Sequence, residues 1–118
     1  MPSKSPESAL MDISENAKLA QSFVEGYDLP RFKADKRTVY AVTRCLEIIS
    51  EATRKLPAGM KHCHPLIAWK DIAGAGNVYR HDYEDVSSAM VWNTVAVLGP
   101  LIAVVEAELA ALKGKVVG

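Results

Sequence analysis

A chain of 118 residues, 49% hydrophobic and 24% charged, is long enough for one self-sufficient core and too apolar for wholesale disorder. Fourteen basic residues balance fourteen acidic ones, so no global field steers the molecule onto nucleic acid, and any such binding needs a local cationic patch. The two cysteines, Cys45 and Cys63, exclude a disulfide framework and fit a reducing compartment.

Leu10, Ile13, Ala17, Ala20, Val24 and Tyr27 recur at steps of three and four, which predicts an amphipathic helix with one buried stripe. Ser5 and Pro6 supply an N-cap and first helical residue, and Gly26 with Asp28-Leu29-Pro30 ends the helix. A second helix is predicted after Pro30, with Val39, Val42, Leu46, Ile49, Thr53 and Leu56 on its inner face and Pro57 and Gly59 closing it. The intervening cations, Lys33, Lys36, Arg37, Arg44, Arg54 and Lys55, read as a solvated face. So short a connection makes the two helices an antiparallel hairpin.

Residues 60–65 read as a loop. A third helix is predicted from Pro65 to about Arg80, with Leu66, Trp69, Ile72, Ala73 and Ala75 turned inward. Glycine inside a helix costs roughly 1 kcal/mol relative to alanine. Gly74 and Gly76 together therefore suggest close approach of another backbone, as across a symmetric dimer contact. The last helix is capped by Ser87 and carries Val91, Val95, Leu98, Leu101 or Ile102, Val105, Leu109 and Leu112. Pro100 is expected to kink this helix without ending it, because the period resumes beyond. The expected fold is all-α: one domain over residues 1–118, built as an antiparallel up-and-down four-helix bundle.

The first residues lack the apolar stretch of a signal peptide. The most apolar run, Val95 to Val105, falls short of the roughly 20 residues that span a bilayer. A cytoplasmic protein without a membrane partner is the expectation.

The densest set of chemically capable side chains is Asn77-Val78-Tyr79-Arg80-His81-Asp82-Tyr83. Asn77 and His81 are four apart and share a helix face. A histidine exchanges protons near neutral pH, and an arginine can neutralise a phosphate. Tyr83 lies past the expected helix end, where it can turn back toward the same spot. A histidine near a helix end can equally cap its last carbonyls, and Tyr83 can equally be a half-buried ring with a bonded hydroxyl. His62-Cys63-His64 lacks zinc spacing, and adjacent residues rarely converge on one ion, so no metal or other cofactor is expected. Trp69 and Trp92 read as core anchors.

The stretch from His64 to Val86, with Pro65, Trp69, Ile72, Gly74 and His81-Asp82-Tyr83 in order, followed by Val91-Trp92, resembles the HepT-like branch of the HEPN superfamily. Leu46-Glu-Ile-Ile-Ser-Glu-Ala resembles that family's Leu-x-Ile-Ile-Gly-Glu-Ala, and residues 23–35 resemble its first hairpin. The resemblance implies a helical homodimer and a metal-independent ribonuclease toxin, with RNA as substrate. It also implies a small MntA-type nucleotidyltransferase antitoxin that silences the toxin by attaching AMP to a tyrosine. Carried over residue by residue, His81 is the catalytic histidine, Tyr83 the modified tyrosine and Asn77 the asparagine after the motif's arginine. That arginine falls at Gly74, Ala75 or Gly76, none of them basic, while Arg80 directly precedes His81. Arg80 is therefore the candidate to replace it. The competing reading is a HEPN bundle that binds a nucleotidyltransferase or a nucleotide without cutting RNA.

Overall fold

The computed structural model describes residues 6–81 and 87–117, without the side chains of Val78, Arg80, His81 and 115–117. Among the described residues seven helices follow one another: α1 (Glu7–Phe23), α2 (Leu29–Ala34), α3 (Lys36–Arg54), α4 (Ala58–His62), α5 (Trp69–His81), α6 (Ser88–Ala96) and α7 (Gly99–Val117). Among the described residues there is no strand. The helical bundle expected from the periodicity is present, with α1, α3, α5 and α7 as its long members and three short helices set into the connections.

Helix α1 buries Leu10, Ile13, Ala17 and Ala20, the stripe its spacing predicts, against α3 on one side and α7 on the other. Its start differs from expectation: Pro6 is the cap residue, no side chain caps the helix, and Ser5 lies outside the described residues. Gly26, at φ +80°, takes the left-handed conformation that turns the chain after α1, a region side chains disfavour.

The second predicted helix is two. Asp28 caps α2 by accepting from Arg31 N at 2.9 Å, and Asp35 caps α3 by accepting from Thr38 N at 3.2 Å. Asp35 also accepts from Tyr27 Oη at 2.6 Å and Thr38 Oγ1 at 2.8 Å. These donors, Tyr27 foremost, hold its carboxyl down to about 2. The break lets α2 turn Phe32 fully into the core, where its ring meets Trp92 with centroids 5.3 Å apart. Helices α1 and α3 run antiparallel: Tyr27 meets Thr38 at one end, while Asp12 shares a surface groove with Glu47 and Glu51 farther along α3.

Two further boundaries move. Helix α5 begins at Trp69, not Pro65, so Leu66 lies in the preceding loop and is 98% exposed instead of facing inward. That loop is fixed by Trp69 Nε1, which donates to the carbonyls of Lys61 (3.1 Å) and His64 (3.0 Å), and by His64 Nε2 against Glu108 Oε2 of α7 at 2.7 Å. The last predicted helix does not kink but stops at Ala96 and restarts at Gly99, bent by 50°. Pro100 carries no N–H, and its ring would strike the carbonyl four residues back, that of Ala96. Ser87 caps α6 as expected, accepting from Met90 N at 3.0 Å. No single helix among the described residues is long and apolar enough to cross a membrane. The apolar α6–α7 pair spends Val91, Val95, Leu98, Leu101 and Val105 on the core.

Candidate active site

Helix α5 carries the candidate residues, and its seating on α3 decides which of them face outward. Gly76 and Tyr79 are buried, with Ile72 half-buried one turn earlier, which makes a single inner edge. Burial pushes the Tyr79 phenol above its ordinary value, with a hydrogen bond to Thr94 of α6 opposing the shift. Asn77 is exposed, and His81 follows four residues on in the same helix. The side chains of Arg80 and His81, and Tyr83 altogether, lie outside the described residues.

The helix is held at this register by two side chains of α3. Ser50 Oγ donates to the carbonyl of Ala73 at 2.8 Å and accepts from Gly76 N at 2.9 Å. Arg54 donates to the same Ala73 carbonyl from Nε at 3.2 Å and Nη2 at 3.0 Å, and from Nη2 to Asn77 Oδ1 at 3.3 Å. Its Nη1 stands 3.9 Å from Glu51 Oε1. Sequence periodicity alone assigns Arg54 to a solvated face; the structure brings it onto the candidate site. The signal was available in part, since Ser50 and Arg54 are four apart on α3 and Ser50 lies beside the apolar stripe. What the sequence lacked was the register between α3 and α5.

The two glycines of α5 separate. A Cβ on Gly76 would sit 2.4 Å from Ser50 Oγ and 2.9 Å from Ser50 Cβ, whereas one on Gly74 meets nothing within 4 Å. The close approach predicted for both is therefore an intrachain contact with a side chain at Gly76. At Gly74 the described residues give no such contact. Gly76→Ala is expected to destabilise the protein by about 1–3 kcal/mol, the usual cost of overpacking, which outweighs the gain in helix propensity. Gly74→Ala, with open space around it, is expected to stabilise by about 0.5–1 kcal/mol. Thermal unfolding of the pair checks both signs.

A groove of about 500 Å³ opens between α4 and the first turns of α5. Lys61, His62, Trp69, Lys70 and Ala73 line it, and no carboxylate is among its lining residues. The groove thus reaches, at Ala73, the residue whose carbonyl Arg54 holds. His62 is exposed while His64 is engaged with Glu108, and among the described residues no three His, Cys, Asp or Glu side chains gather around a point. Cys63 is exposed and Cys45 buried, both free.

The chain matches the family model described as "Ribonuclease HepT-like" over residues 13–108. It is 33% identical over 112 residues to a Thermococcus cleftensis protein named "Probable ribonuclease HepT", an alignment covering 95% of this chain and 93% of that one. A candidate RNase of Methanocaldococcus jannaschii is 34% identical over 94 residues, 80% of this chain and 78% of that protein. Another, from Caldanaerobacter subterraneus, is 32% identical over 92 residues, 78% of this chain and 82% of that protein. No solved structure matches the chain.

Proposed function

We propose that this chain, which belongs to the ribonuclease HepT-like family, cleaves RNA by side-chain acid–base chemistry, without a metal ion, on the outer face of α5. The observation that carries the reading is the meeting of Arg54 with Asn77 at 3.3 Å, one turn before His81, on a helix fixed by Ser50. In the proposed reaction the ribose 2′-hydroxyl attacks the adjacent phosphorus. The P–O2′ bond forms, the P–O5′ bond breaks, and the products end in a 2′,3′-cyclic phosphate and a 5′-hydroxyl. The proton lost by the 2′-hydroxyl and the one gained by the leaving oxygen pass through His81. A cation neutralises the charge building on the phosphate. Arg80 directly precedes His81 and is one candidate for that role. The groove with Lys61 and Lys70 is the kind of local cationic patch that a chain without net charge needs to hold a polyanion.

The resemblance further supports a symmetric homodimer acting as the toxin of a toxin–antitoxin module. In that reading an MntA-type nucleotidyltransferase antitoxin silences it by placing AMP on Tyr83, adding a charged, bulky group two residues from His81. The alternative is a bundle that binds the nucleotidyltransferase, or a nucleotide, without cutting RNA. It draws its support from the glycine, alanine and glycine at positions 74–76, where the family pattern has arginine.

The test is digestion of a tRNA and messenger RNA mixture by the purified chain in EDTA, with the new ends analysed. Cleavage to 2′,3′-cyclic phosphate ends, and resistance of a 2′-deoxy oligonucleotide, are the expected results. Intact RNA at high protein concentration would overturn the ribonuclease reading in favour of the binding one. AMP found on Tyr83 after co-expression with the nucleotidyltransferase would support the antitoxin assignment.

A further inference from the structure

We infer that Arg54, reaching from the end of α3 onto α5, supplies the phosphate-binding cation that positions 74–76 of α5 lack. The inference rests on the ribonuclease reading and adds to it a residue from outside the motif. A motif arginine at 74–76 would project from α5 itself. In this chain those positions hold Gly74, Ala75 and Gly76, and Gly76 has no room for any side chain because Ser50 fills the space beside it. The volume a side chain at Gly76 would take is thus used by Ser50 of α3, and one turn on α3 brings the Arg54 guanidinium to the Ala73 carbonyl and to Asn77. Arg54 lies one turn beyond Ser50, and both grip the carbonyl of Ala73.

The geometry suits a phosphate ligand. Arginine presents five N–H donors in a planar fork. Here Nε and Nη2 are committed to Ala73 and Asn77, which fixes the plane of the guanidinium against α5. The remaining edge, at Nη1, is approached by Glu51 at 3.9 Å, too far for a hydrogen bond. The side chain is 37% exposed, so solvent and an incoming anion can reach it. An exposed pair of this kind with Glu51 is worth little, and a phosphate that forms charge-assisted bonds displaces it. Arginine held rigid loses less freedom on binding than a free side chain would, which favours a pre-set fork over a cation on a mobile chain. Ala73 also lines the groove of Lys61, Trp69 and Lys70, so the groove and Arg54 meet at one residue of α5.

The experiment uses the full chain as wild type, Arg54→Gln, Arg54→Lys and Arg80→Gln, with kcat and KM on an RNA oligonucleotide and thermal unfolding in parallel. Arg54→Gln is expected to lower kcat about 100-fold, in the range lost when one donor to a developing anion is removed. Arg54→Lys should recover part of that loss by keeping the charge. Sulfur in place of one non-bridging phosphate oxygen should slow the wild type more than it slows Arg54→Gln, a signature of direct contact that a structural role does not produce. Should wild type cleave while Arg54→Gln stays within threefold of it, this inference falls and the ribonuclease reading stands. A second measurement needs neither a folded variant nor cleavage: titration of the wild type with a 2′-deoxy oligonucleotide, followed at the Arg54 Nε–H resonance. A shift of that resonance upholds the phosphate contact even for a protein that does not cut. An unmoved resonance at saturation overturns it.

Discussion

RNA cleavage is expected to fall by about 10²–10⁴-fold when His81 is replaced by alanine, the span ordinarily contributed by a positioned general acid or base. Within the described residues, Asn77 and Arg54 bring an amide and a guanidinium to the outer face of α5. Neither group moves a proton near neutral pH, since arginine stays charged and an amide does not titrate. His81 lies four residues beyond Asn77 in α5 and has the proton chemistry that both groups lack. The loss should appear in kcat more than in KM, because in the proposed reaction the histidine acts on the reacting atoms. Rates of wild type and His81→Ala on one oligonucleotide, with unfolding temperatures alongside, decide it. Equal rates would remove His81 from the chemistry.

Phe32→Ala is expected to be the most damaging single change to stability, costing about 3–5 kcal/mol. For a domain of this size that lowers the unfolding temperature by roughly 10–20 °C. Phe32 has no solvent exposure and stacks at a tilt of 48° on Trp92, so truncation leaves a void and strips an aromatic partner from α6. The cavity cannot easily close: Asp28 caps the start of α2, and Asp35 at its end bonds back to the Phe32 carbonyl through its N–H while capping α3. Phe32→Leu, which keeps most of the volume, should lose less. Thermal unfolding by circular dichroism measures both, and a loss under 1 kcal/mol for the alanine would mean that α2 lies outside the cooperative core.

Phe32 also shows where the sequence stops being legible. Helices of three or more turns announce themselves: Leu10, Ile13, Ala17 and Ala20 are buried as their spacing requires, and so are Val42, Leu46, Ile49 and Thr53. Helices α2 and α4 have six and five residues, fewer than two turns, and no period can be read from so few positions. Pro100 is ambiguous for another reason. A proline after an apolar run fits both a kink and the first turn of a new helix, and only the path of Val97 and Leu98 separates them. At the candidate site, the spacing of Asn77 and His81 was enough to put them on one helix. Arg54 was not, because its place depends on how two helices 19 residues apart in the donor and acceptor numbering come to pack. Gly76 gave the hint that something approached α5 closely, without saying that it was Ser50.

Helix α1 is flanked by α3 and α7, whereas α5 rests chiefly on α3. Opening free energies within a folded domain follow such differences in anchoring, and elements held from one side open sooner than those held from two. The helix that bears the candidate chemistry is therefore expected to open before the α1–α3 hairpin and α7, once Ser50 and Arg54 release the Ala73 carbonyl and Tyr79 leaves Thr94. Global stability and the fraction of molecules with a formed site become separate quantities. A ligand that touches both α3 and α5 binds the docked arrangement better than the lifted one, and so raises its population by mass action.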